Sequence, residues 1–139
     1  MTETTNQTSG TQQGGPGLTM QRLFTTPGEH PYDQVTWEHR DVIQSNWKTG
    51  AVVFEQRGVE FPEEWSLNAS TIVTTKYFRG AVGTEQREVS LRQLIDRVVL
   101  TYTKAGREYG YFATPEDAEI FEHELTWMLL HQVFSFNSP

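Results

Sequence analysis

SLRQLIDRVVLTYTKAGREYGYFATPEDAEIFEHELTWMLLH, residues 90–131, is the stretch from which the fold is read. Ser90 and Gln93 have the spacing of a capping box, in which each side chain satisfies the other's free backbone amide at a helix start. Behind them Leu91, Leu94, Ile95, Val98, Tyr102 and Ala105 recur every three or four residues, so one stripe of this helix is expected to be core, with Gly106 or Gly110 as its stop. Thr114 then caps another helix. Pro115 stands at its first position, and Glu116 and Asp117 lie in the first turn, where the helix dipole favours negative charge. That helix is expected to run at least to His131. Phe121, Leu125 and Met128 share a face, but Ile120, Trp127, Leu130 and Phe134 spread apolar character round the rod, which predicts burial on several sides.

Upstream, a helix is expected to start at Ser66 or Asn68, to present Ala69, Ile72, Val73 and Tyr77 on its buried face, and to stop at Gly80. Its β-branched Thr71, Val73, Thr74 and Thr75 weaken it, so tertiary packing has to hold it. Ala51–Phe54 and Val59–Phe61 read as two short extended pieces around Gly58, the second ending at Pro62. Between Val35 and Trp47 the apolar residues fit neither the helical nor the strand period. Residues 18–33 form an extended lead-in broken at Pro27-Gly28 and before Pro31. Residues 1–17 hold Met1 as their one sizeable apolar side chain among Thr, Gln, Gly, Ser, Asn, Glu and Pro, and are expected to form a disordered tail. The expected fold is mainly α with short β segments, a helical unit over residues 18–139.

Composition narrows the function. A chain of 139 residues is one domain or part of one, and 36% hydrophobic residues give a modest core. Eighteen acidic against eleven basic side chains leave a net charge of -7, which repels nucleic acid and anionic membranes. No apolar window is long enough to span a bilayer and no leader pattern opens the chain, so the cytoplasm is the expected compartment. Cysteine is absent, which removes disulfides, thiolate metal sites and cysteine nucleophiles together.

Four constellations invite a chemical reading, and the residues themselves argue against each. His123-Glu124 opens like a helical zinc motif, but Trp127 stands where the second histidine belongs. His131 lies about 80° further round and about 12 Å along the helix, too far to share an ion. The expectation is a solvated acidic face of Glu116, Glu119, Glu122 and Glu124 with His123 beside it. Gly80-Ala81-Val82-Gly83-Thr84 lies between helices, where a phosphate loop would follow a strand, and reads as a connection. Glu60, Glu63 and Glu64 around Pro62 read as a turn or helix start rather than an acid–base pair. Lys76, Arg79 and Arg87 around Tyr77 and Phe78 form a small basic patch expected to make intramolecular ion pairs.

Five ordered blocks carry a resemblance: FTTPGEHPY (24–32), FEQRGVEFPEEWS (54–66), NASTIVTTKYFRG (68–80), LRQLIDRVV (91–99) and EHELTWMLLHQVFSFNSP (122–139). Together they resemble the amino-terminal region of adenosylcobalamin-dependent class II ribonucleotide reductases of the actinobacterial type, over about residues 18–139. The resemblance implies reduction of ribonucleotides, as diphosphates, to deoxyribonucleotides through a cysteine thiyl radical, with an external dithiol reductant, and it admits a homodimer. It implies a helical region packed on a ten-stranded α/β barrel, the Asn137-Ser138-Pro139 motif lying at the barrel entry with Ser138 contacting substrate. Without a cysteine this chain is expected to be inactive alone, so no catalytic residue or metal ligand is assigned, and cobalamin-binding residues stay unassigned. The many-sided apolar helix, and an end with neither polar tail nor cap, are expected of a region that stops short of its barrel. The rival expectation is a non-enzymatic helical interaction module that kept this surface.

Overall fold

The computed structural model describes residues 16–137, so Ser138 and nearly all of the expected tail lie outside the described residues. Strands β1 (Trp37–Ser45) and β2 (Val52–Pro62) form an antiparallel hairpin, followed by helices α1 (Leu67–Lys76), α2 (Leu91–Glu108) and α3 (Pro115–Leu130). A single 3₁₀ turn, Pro31–Gln34, precedes β1. The fold is thus a mixed α/β unit with longer strands than the sequence suggested.

The missing periodicity of residues 35–47 has a physical origin. Arg40 occupies an inward position of β1, 8% exposed beside Val42 at 3%. Its guanidinium donates to the carbonyls of Pro62 and Glu63, to Ser66 O and to Ser70 Oγ, and it pairs with Glu38 at 2.6 Å. A buried charge with so many acceptors is tolerated, yet it erases the alternating pattern by which a strand is recognised. Gly58 does not divide two pieces, as expected, but lies inside one strand. Arg57 and Gly58 together face the single residue Asp41, and Gly58 takes φ 71°, a bulge whose amide donates to Asp41 Oδ1 at 2.9 Å.

Arg40 also explains a correction in α1. The helix starts at Ser66, whose hydroxyl accepts from Ala69 N, but the residues it buries are Ser70 and Thr74. Where the hairpin meets it with a guanidinium, Ser70 turns inward; of the expected apolar face Val73 is partly buried against the core and Ala69 half-buried, while Ile72 and Tyr77 are exposed. Arg87 holds the other end. It donates to the carbonyls of Thr74, Phe78 and Gly80, at 2.5, 2.7 and 3.0 Å, and to Gln56 Oε1 at 2.9 Å. These are carbonyl and amide partners, not the expected carboxylate. The ion pair nearby is Arg97–Glu88 at 3.0 Å, and Glu88 also accepts from Arg79 N.

The capping box of α2 is formed as read. Its buried line is Leu91, Ile95, Val99, Thr103 and Gly106, while Tyr102 is half exposed. Gly106 does not end the helix: a Cβ there would lie 2.4 Å from the Phe112 ring, so the glycine admits that ring. The stop is Gly110 at φ 67°, with Tyr111 N donating to Gly106 O in a Schellman closure. The end of α3, expected to be uncapped, closes the same way: Gln132 adopts φ 55° and Val133 N donates to Met128 O. Tyr32, Val42, Val59, Phe61, Phe78, Leu91, Ile95, Val99, Leu125 and Leu130 form the core between hairpin and helices. Fully buried side chains of this type stabilise by about 1.5–3 kcal/mol each.

Candidate functional site

Two features of α3 set the surface. The first is its seat for the lead-in segment. Glu124, 5% exposed, accepts from the amides of Leu23 and Phe24, each at 3.1 Å, and from the amide and hydroxyl of Thr25 at 3.0 and 2.5 Å. Burial pushes the carboxyl pKa up, but the hydrogen bonds from Thr25, Phe24 and Leu23 outweigh it and hold the group below its ordinary value. Asp117 does the same at the helix start: the Met20 amide at 2.8 Å and the Thr114 cap depress its pKa. Phe24 stacks on Trp127 at 4.3 Å. The expected solvated acidic face is therefore partly wrong: Glu116 and Glu119 face solvent, whereas Glu124 is a buried anchor. Nothing local could have revealed it, because its donors lie about a hundred residues earlier.

His123, also expected at the surface, is buried edge-on against His30, ring centroids 5.1 Å apart, with Arg22 Nη1 3.5 Å from its Nδ1. Burial, then the positive field of His30 and Arg22, lowers its pKa. His131 packs tilted against Trp127, ring centroids 4.2 Å apart, and among the described residues the two histidines belong to no group that could hold a metal ion. Glu60 is not in a turn but within β2, accepting from Ser90 Oγ at 2.7 Å and pairing with Arg92 at 2.8 Å. Residues 80–84 form a connection, as read. The phenol of Tyr32 donates to Asp96 at 2.7 Å, and burial followed by that carboxylate raises its pKa far above the ordinary value.

The second feature is a groove of about 530 Å3. The outward apolar face of α1 supplies Ala69, Ile72 and Val73, the start of α2 supplies Leu91 and Leu94, and the end of α3 supplies Leu129. Its rim is the extended segment Phe134–Phe136, in which Phe136 stacks on Tyr102 at 5.4 Å. Trp65 Nε1 donates to Leu130 O at 2.8 Å and pins the end of α3 to the turn before α1. The chain therefore leaves the domain along the groove, and Asn137 is the last described residue of the Asn-Ser-Pro motif.

Residues 39–132 match the sequence pattern of the class II vitamin B12-dependent ribonucleotide reductase. The chain belongs to this family. Vitamin B12-dependent ribonucleotide reductases of Streptomyces clavuligerus, Streptomyces coelicolor and Streptomyces avermitilis are similar to it. They are 65%, 69% and 71% identical over 100%, 91% and 88% of this chain. The chain spans only 15%, 13% and 13% of their lengths, respectively. Similarity extends to the reductase of Rhodopirellula baltica, at 43% identity over 81% of this chain and 11% of that protein. These matches do not favour the non-enzymatic module.

The cofactor implied by the family does not fit the described residues of this chain. No three His, Asp or Glu side chains among them are grouped to hold a metal ion. The one buried imidazole nitrogen without a partner there, His131 Nε2, borders a cavity of about 90 Å3, room for two or three waters but not a corrin. No helix among the described residues is long and apolar enough to cross a membrane.

Proposed function

We propose that this chain is the amino-terminal part of a cytoplasmic, adenosylcobalamin-dependent ribonucleoside-diphosphate reductase. In this reading the domain covers part of the α/β barrel of the longer polypeptide and delivers the Asn137-Ser138-Pro139 motif to the substrate entry. The carrying observation is that a chain with no thiol matches the family over residues 39–132. Reduction at a ribose carbon needs a dithiol, so the redox groups, and the residues holding the cobalamin, belong to the remaining polypeptide, which an external dithiol re-reduces. The capped end of α3 and the groove wall that directs Phe134–Phe136 outward support an approach role. Ser138 donates its hydroxyl to a phosphate or ribose oxygen, and Pro139 biases it toward an extended conformation.

The test is Ser138→Ala in the full-length reductase, with deoxyribonucleotide formation measured against ribonucleoside diphosphate. A hydrogen bond to a charged group predicts a loss of about 1.5–3 kcal/mol in kcat/KM, roughly ten- to a hundredfold. Unchanged kinetics would remove Ser138 from the site. Turnover by the 139-residue chain alone would overturn the whole assignment.

A further inference from the structure

We infer that Tyr102 is a positioning residue for the reductase reaction: by stacking on Phe136 it fixes the chain two residues before Ser138 and so limits where that hydroxyl can meet substrate. The inference rests on the reductase reading and adds to it a residue on α2, remote from Ser138 in sequence.

Beyond α3 the chain is held first by the turn at the helix end, where Gln132 takes φ 55° and Val133 N donates to Met128 O. After that turn Phe134, Ser135 and Phe136 make no backbone hydrogen bond to another described residue. Such a segment takes its path from its side chains. Phe134 meets Phe136 edge-on at 5.2 Å, which ties the segment to itself. The Phe136 ring on Tyr102, centroids 5.4 Å apart and planes 20° apart, ties it to the rest of the domain.

Tyr102 suits the part of a fixed base. It falls on the apolar stripe of α2, yet its ring is half exposed, so core packing does not account for it. Its backbone is held by the buried neighbours Val99 and Thr103, and a tyrosine ring turns about only two side-chain torsions. From Phe136 to Ser138 is about 7 Å of extended chain, whereas from Val133 it is about 17 Å. Binding groups act when held within about 0.5 Å of the productive geometry, so the shorter arm matters. An aromatic stack favours the held state roughly two- to tenfold, and a site's apparent affinity falls with the fraction of competent molecules.

The experiment is a set of variants of the full-length reductase, with deoxyribonucleotide formation measured against ribonucleoside diphosphate. Tyr102→Ala is expected to raise KM roughly two- to tenfold with kcat held, whereas a merely structural role would lower the active fraction, hence kcat, and leave KM alone. Tyr102→Phe keeps the ring and should behave as wild type. In a Ser138→Ala background Tyr102→Ala should add almost nothing, because the group it positions is gone. Wild-type KM in Tyr102→Ala, an equal defect in Tyr102→Phe, or an alanine effect undiminished by Ser138→Ala would each overturn the inference. Photocross-linking from p-benzoylphenylalanine in place of Tyr102 needs no turnover: the main product should join residue 102 to the peptide holding Phe134–Phe136, and a main product elsewhere would equally overturn it. Wild-type turnover and Ser138→Ala alone score the reductase reading, so its failure and that of the Tyr102 assignment are distinguishable.

Discussion

Replacing Glu124 by alanine removes one acceptor from four donors at once, the amides of Leu23, Phe24 and Thr25 and the Thr25 hydroxyl. At about 1.5–3 kcal/mol per hydrogen bond to a charged group, their sum would be about 6–12 kcal/mol. The measurable loss is smaller. The lead-in can lift from α3 and return its amides to water, so the loss is capped by the free energy with which that segment docks. Lifting also forfeits the Phe24–Trp127 stack, worth about 0.5–1.5 kcal/mol. We expect Glu124→Ala to cost about 3–4 kcal/mol, and Glu124→Gln, which keeps an acceptor oxygen and the shape, about 1–2 kcal/mol. Amide hydrogen exchange at residues 23–25 is the direct assay. A loss of about 3 kcal/mol corresponds to exchange faster by about a hundredfold, localised to those amides. Because the folded carboxyl pKa lies below its ordinary value of 4.5, this stabilisation is present above that value and fades as pH falls through the folded pKa, so the protection of these amides in the wild type, measured against the intrinsic exchange rate at each pH, should fall in acid. Wild-type exchange rates in Glu124→Ala, or equal effects of alanine and glutamine, would refute the reasoning.

The remaining predictions concern the packing around this anchor. Gly106→Ala gains about 1 kcal/mol of helix propensity but drives a methyl into the Phe112 ring, so a net loss of about 1–2 kcal/mol and a Tm lower by roughly 5–10 °C are expected in a thermal melt. Arg87→Lys should lose most of what Arg87→Ala loses, about 2–4 kcal/mol in urea unfolding, because an ammonium cannot span the carbonyls of Thr74, Phe78 and Gly80. A lysine variant as stable as wild type would contradict that geometry. His123 has its folded pKa lowered from 6.5, so its contribution is full above that value and is lost as pH falls through the window beneath it. His123→Gln should flatten the wild-type slope of urea midpoint against pH there.

Local chemistry decided a good deal in advance. The cap at Ser90 with Gln93 and the cap at Thr114 with Pro115 behind it are interactions among residues within a few positions of one another, so the chain writes them directly, whereas the choice of Gly110 over Gly106 as the stop fell to the packing of the Phe112 ring on Gly106. Family membership was likewise legible, because ordered blocks such as FEQRGVEFPEEWS persist as strings whatever their conformation. Tertiary structure alone decided the rest, wherever a residue's role depended on a distant partner. Arg40 broke the alternation by which a strand is recognised and drew Ser70 of α1 inward, while Ala69, Ile72 and Val73 of the same helix line a groove. Glu124 became an anchor only when the fold brought the amides of residues 23–25 to it. A buried charge gains its stability from the donors or acceptors that converge on it in space, and sequence spacing carries no record of that convergence.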